Sequence, residues 1–237
     1  MAQAWLRDDP EIAVTLVARA AAGKGTDEVE RVCEPPLVST PTPRQRLGAL
    51  LWLVRPAYYL VELVVAAAVV GGYSFVDLTV SDLGSVTCTD VCSPRHPLMN
   101  SAFVGFGVLM AFGAVLLHGR FGTDLRARVL TALLVLAGLG SAAVGLVPVD
   151  ADPGLHVLVA TPVFVAQPVA VVLLGLATRD RHPMTGAALV VTGVMMAVAA
   201  VGFVTLDLDH GAGAVERVAL WPVFVVLALL GRAELRA

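Results

Sequence analysis

Five side chains suited to acid, base or metal chemistry stand at comparable places in this sequence. His96, His156 and Glu216 each open an apolar stretch, and Asp150 and Asp207 each close one. Gathered at one end of a helical bundle, the three openings would offer two imidazoles and a carboxylate to a zinc ion, or to a substrate as general acid and base. A polar residue in the first turn is also what any membrane helix presents as it emerges into water, and solvation is the plainer account of each. Asp150 and Asp207 lie at helix C-terminal ends, where the macrodipole disfavours negative charge, which marks them for function. Asp152-Pro153 and Ser93-Pro94 read instead as N-caps followed by proline at the first helical position.

Two more ionisable groups, Arg55 and Glu62, fall inside an apolar stretch, where such groups are costly and default to functional hypotheses. Arg55 lies near the inner boundary, where snorkelling would suffice for it. Glu62 is deeper, about two turns further along the same face, and reads as a substrate-pathway or proton-handling group, or as a pairing residue between helices. Cys88 and Cys92 share a loop on the expected outer, oxidising side. Their spacing favours a disulfide over metal binding; Cys33 reads as a cytoplasmic free thiol.

The elements that would position these groups follow from composition. The 237 residues are 57% hydrophobic and 15% charged, with a mean hydropathy of +0.82, more apolar surface than one water-soluble core could hide. The fold class is therefore all-α and membrane-integral. A bilayer core needs about 20 apolar residues as helix, and six stretches qualify: 47–70, 97–117, 129–147, 155–177, 185–206 and 218–230, the last being the shortest. Arginines divide nine to two between the two sets of flanks, Arg44, Arg46, Arg120, Arg126, Arg128, Arg179, Arg181, Arg232 and Arg236 against Arg95 and Arg217. The positive-inside rule then puts both termini in the cytoplasm.

The domains expected are a cytoplasmic tail at 1–46, a six-helix membrane domain at 47–231 and a short cytoplasmic tail at 232–237. The first tail holds too many acids for a cleavable signal peptide. It reads as a short amphipathic helix, Pro10 to Ala22, and a proline-rich linker. A single lysine against fifteen arginines suggests GC-rich bacterial coding and hence a plasma membrane. The formal charge of −3 and the scattered basic residues exclude nucleic acid as a partner. Pro56, Pro162, Pro168 and Pro222 would kink their spans, and Ser101/Gly105 and Ser141/Gly145 would allow close helix contact.

There is also internal similarity. Spans three and five both end in Gly-x-Val-x-x-Asp-x-Asp, at Gly145–Asp152 and Gly202–Asp209. The spans that follow share Pro162-Val163-Phe164-Val165 and Pro222-Val223-Phe224-Val225. Spans one and two are looser relatives through Asp77. Three parallel helical hairpins around an axis is the resulting picture. It gives His156 and Glu216 matching places, each six residues before the shared proline.

Several further pieces fall in a recognisable order: Arg55-Pro56 with Tyr58 and Glu62, Tyr73-Ser74, Ser81-Asp82-Leu83-Gly84, Cys92-Ser93-Pro94 with Met99-Asn100, Gly145-Leu146-Val147-Pro148 with His156, and Glu216-Arg217. Together they resemble domain-of-unknown-function family 998, bacterial and archaeal multi-pass membrane proteins, over residues 47–231. The resemblance implies a membrane bundle with no assigned reaction. It adds Asp82, Asn100 and Arg217 to Glu62 and His96 as binding candidates. The leading expectation is an outward polar pocket for a lipid headgroup, ion or small solute. The alternatives are a zinc-dependent hydrolase or lipid-modifying enzyme at the outer leaflet, using His156, Glu216, Asp150 and Asp207, and a proton-coupled transporter using Glu62.

Overall fold

A computed structural model of the chain describes residues 40–206 and 210–236. Those residues are helical, apart from turns and one isolated bridge between Val70 and Cys92. The helices are α1 (Pro43–Leu53), α2 (Ala57–Ala66), α3 (His96–Phe121), α4 (Leu125–Leu146), α5 (Pro153–Thr178), α6 (Pro183–Thr205), α7 (Ala212–Leu220) and α8 (Pro222–Arg236). A four-residue 3₁₀ turn, Ser81–Gly84, sits in the long loop after α2. The expected Pro10–Ala22 helix, Cys33, Asp207 and Asp209 lie outside the described residues.

Among the described residues, six helical spans are long and apolar enough to cross a membrane: Pro43–Ala66, α3, α4, α5, α6 and Ala212–Arg236. The first and last are each made of two helices. The breaks fall at Pro56 and Pro222, where proline removes a backbone donor and crowds the preceding turn. Pro162 and Pro168 leave α5 unbroken. Each span packs on its neighbours in sequence, and α8 returns to pack on α1. The six therefore close into a ring, with consecutive spans antiparallel because most connections are only a few residues long.

Several ends differ from the sequence expectation, the last span running on to Arg236 rather than Leu230, and two of the starts bear on the site. The first span begins at Pro43, not Leu47, because Thr42 and Gln45 form a capping box whose reciprocal bonds are 2.9 and 3.3 Å. Arg55 consequently stands at mid-span. It is buried rather than snorkelling, and its Nη1 donates to the Phe106 carbonyl. The last span begins at Ala212, six residues before the expected start. Glu216 and Arg217, whose charges argued against membrane depth, are buried and hydrogen-bonded there.

Packing depends on backbones that touch. A Cβ on Gly107 would stand 2.4 Å from the Gly138 carbonyl oxygen, and one on Gly138 2.6 Å from the Gly107 oxygen, so α3 and α4 meet only because both lack side chains. Gly145 and Ser141 join this contact, the latter donating to the Phe103 carbonyl at 3.0 Å. Ser101 and Gly105, the other expected pair, are exposed instead. At the end of the bundle where α1 begins and α8 ends, Glu234 of α8 binds Arg120 of α3 at 2.6 Å and Arg181 at 3.0 Å. Leu60, Val191 and Val198 are each at least 66% exposed, as an apolar belt facing lipid requires.

Candidate functional site

At the other end, residues 67–95 lie across the mouth of the ring, and most of the residues singled out in the sequence hold them there. Glycines at 71 and 72, with φ of 85° and 93°, turn the chain out of α2 into this cover. A disulfide joins Cys88 to Cys92, and the Val70–Cys92 bridge closes the base of the loop.

Arg217 is the principal anchor. Its Nε donates to Glu62 Oε1 at 2.9 Å, and its Nη1 donates to the carbonyls of Phe75 (2.9 Å), Leu78 (2.8 Å) and Gly213 (2.9 Å). Its Nη2 donates to the Tyr73 hydroxyl, and the guanidinium lies 5.0 Å from the Phe75 ring centre and 5.7 Å from that of Trp221. Trp221 Nε1 donates to the second Glu62 oxygen at 2.8 Å. Burial pushes the Tyr73 hydroxyl well above the ordinary phenol range, so it stays protonated and donates to the Thr79 carbonyl at 2.6 Å. Glu62 and Arg217 are thus one buried pair with every charge-bearing atom engaged, joining the first span, the last span and the cover.

The remaining anchors come from around the ring. Glu216 accepts from the Val80 N–H, and His156 reaches Ser81 Oγ at 3.1 Å. The two residues given matching places by internal similarity therefore hold adjacent positions of the cover. His156 Nδ1 lies 2.6 Å from the Val147 carbonyl. A carbonyl only accepts, so Nδ1 carries the proton and Nε2 is left facing Ser81. Asn100 donates to the Gly84 carbonyl at 2.9 Å, and Ser93 to that of Leu83 at 2.8 Å. Ser93 is therefore a strut and not the N-cap of α3, a place taken by Arg95. Asp152 does cap α5, accepting from the Leu155 N–H at 2.9 Å.

Asp150 accepts from the Val86 and Thr87 N–H groups at 3.0 and 2.6 Å and from the Thr87 hydroxyl at 2.6 Å. Its slight burial works against ionisation, but these donors outweigh it and hold the carboxyl below the usual range. Asp77 is likewise lowered, chiefly by Ser74 and by the Gly211 N–H. Asp82 accepts from the Thr79 N–H at 2.7 Å and closes its own turn.

His96 stands apart, its ring 2.9 Å from the Ser93 carbonyl. Among the described residues, no group of three or more His, Cys, Asp or Glu side chains is placed to hold a metal ion. The zinc set expected of His96, His156 and Glu216 is thus not assembled, because His156 and Glu216 point to neighbouring residues of the cover while His96 folds back on its own helix start.

Beneath the cover lies a cavity of about 50 Å³ lined by five of the six spans. Its polar residues are Arg55, Tyr58, Ser81, Ser141, Gln167 and Glu216, set among phenylalanines. The Tyr58 ring stacks on Phe224 at 4.2 Å, and Arg55 lies 4.8 Å over the same Phe224. Gln167 went unremarked in the sequence, although an amide in the middle of span four is signal enough.

These features define a six-span helical membrane protein with an anchored loop over a small cavity of mixed, mostly apolar lining. The chain belongs to the DUF998 family, described as "Protein of unknown function", whose model matches residues 53–233. No curated protein and no solved structure matches the chain.

Proposed function

We propose that this protein is a membrane-embedded binding protein that takes a small polar solute into the cavity beneath residues 67–95 from the outer side of the membrane. One observation carries the reading. Anchors from the second, fourth and last spans and from the turn between α4 and α5 converge on one loop, with Glu62 of the first span bracing Arg217 among them, and under that loop lies a cavity whose wall is partly polar. Polar groups are expensive inside a membrane bundle and are concentrated where something polar is handled. The arginine distribution supports placing the cover outside and both termini inside. Both Glu62 oxygens are taken by Arg217 and Trp221, which favours anchoring over proton carriage.

The test is cysteine accessibility in sealed, right-side-out vesicles. In a Cys33→Ser background, a membrane-impermeant thiol reagent added outside should label Ser81→Cys, and Ser141→Cys more slowly. Labelling of Ser141→Cys should speed up when Asp150→Asn loosens the cover. Labelling of both positions only from the inner side would overturn the orientation and the entry route together.

A further inference from the structure

Resting on the reading of the cavity as a binding site, we propose that its occupant is a small monocarboxylate seated between Arg55 and Gln167. Arg55 is 2% exposed, and among the described ion pairs none involves it. One guanidinium nitrogen donates to the Phe106 carbonyl and the Phe224 face covers the group, but the Nε–H has no acceptor. Gln167 is 3% exposed, and its Nε2 has no partner either. Both side chains line the same cavity. A buried cation without a counter-ion and a buried amide donor without an acceptor are each costly. One anion with two acceptor oxygens relieves both, and a carboxylate matches the fork of an arginine.

The rest of the wall narrows the choice. Glu216 lines the cavity from α7, with one oxygen on the Val80 N–H. The wall supplies one unpaired cation, so a monoanion matches its charge, whereas sulfate or phosphate would leave a second negative charge uncompensated in a dry space. Phe103, Phe106, Phe164 and Phe224 offer apolar surface to a short alkyl group. The volume of about 50 Å³ accommodates a few water-sized groups at roughly 10–15 Å³ each, so a carboxylate with about two further carbons fills it. The same carboxylate chemistry has two sources, a free short-chain acid or the head of a fatty acid whose chain passes between helices.

The experiment is equilibrium binding of radiolabelled propionate to the detergent-purified full chain, with acetate, sulfate and laurate as competitors. Saturable binding is expected, displaced by acetate and not by sulfate. Gln167→Leu, a near-isosteric change that leaves no charge behind, should weaken it about tenfold, and Arg55→Met should abolish it. Circular dichroism and thermal melting confirm that each variant is folded. Displacement by laurate assigns the site to a lipid-derived acid, and its failure assigns it to a free solute. Equal propionate binding by wild type and Gln167→Leu, or no saturable binding by folded wild type, overturns the proposal. If outside reagent still labels Ser141→Cys in that case, the cavity remains a binding site and only the carboxylate assignment falls. If it does not, the binding reading falls as well.

Discussion

At the residue scale, the arrangement around Arg217 makes a sharp prediction. Removing one partner of a buried ion pair strands the other charge, which costs about 3–5 kcal/mol, whereas replacing both with apolar groups is often close to neutral. Arg217→Met should therefore destabilise strongly by leaving Glu62 alone, and adding Glu62→Leu should restore much of the loss. Thermal melts of the single and double variants measure this coupling; additive losses would refute the pairing. Asp150 gives a pH effect of defined sign. Its carboxyl is held below its usual value, so its contribution to holding the cover is fully present above the unfolded value of about 3.9 and is lost as pH falls through the lower folded value. Hydrogen exchange at the Val86 and Thr87 amides, taken relative to the intrinsic rate at each pH, should quicken below about pH 3.9. In Asp150→Asn it should already be fast at neutral pH, because the neutral amide accepts more weakly than a carboxylate.

At the scale of elements, the contact of α3 with α4 can be probed through one glycine. Gly138→Ala puts a methyl 2.6 Å from the Gly107 carbonyl and should cost about 1–3 kcal/mol by overpacking. Ser101→Ala, on the exposed side of α3, should change stability by less than about 0.5 kcal/mol. Comparison of the two melting temperatures checks which face carries the contact. The number of spans was legible in the sequence because long apolar runs are imposed by bilayer thickness. Their ends were not. Hydropathy penalises Arg44, Arg46, Glu216 and Arg217 one at a time, while the fold caps the first helix and pairs the last two charges with partners far away in sequence. The cover was the least legible part, since it has no periodicity and its shape depends on anchors such as Asn100, Asp150 and His156 far along the sequence. Those residues were visible as unusual, but a polar side chain at a helix end looks the same whether it binds a ligand or a loop.

At the scale of the molecule, the closure of α8 onto α1 has a consequence for biosynthesis. A ribosome delivers the spans in order, so Glu62 enters the bilayer with the first span long before its partner exists. Arg217 and Trp221, which occupy its two oxygens, come with the sixth, and so does Glu234, which joins Arg120 and Arg181 at the opposite end. Both buried charge clusters are therefore completed only when the sixth span arrives. Until it inserts, the nascent chain carries polar groups that hydrocarbon does not tolerate, the kind of exposed signal by which membrane quality control distinguishes an unfinished protein from a finished one. A premature stop after the fifth span would leave that signal permanently on display, so the order of synthesis makes the sixth span a proofreading step for the five before it.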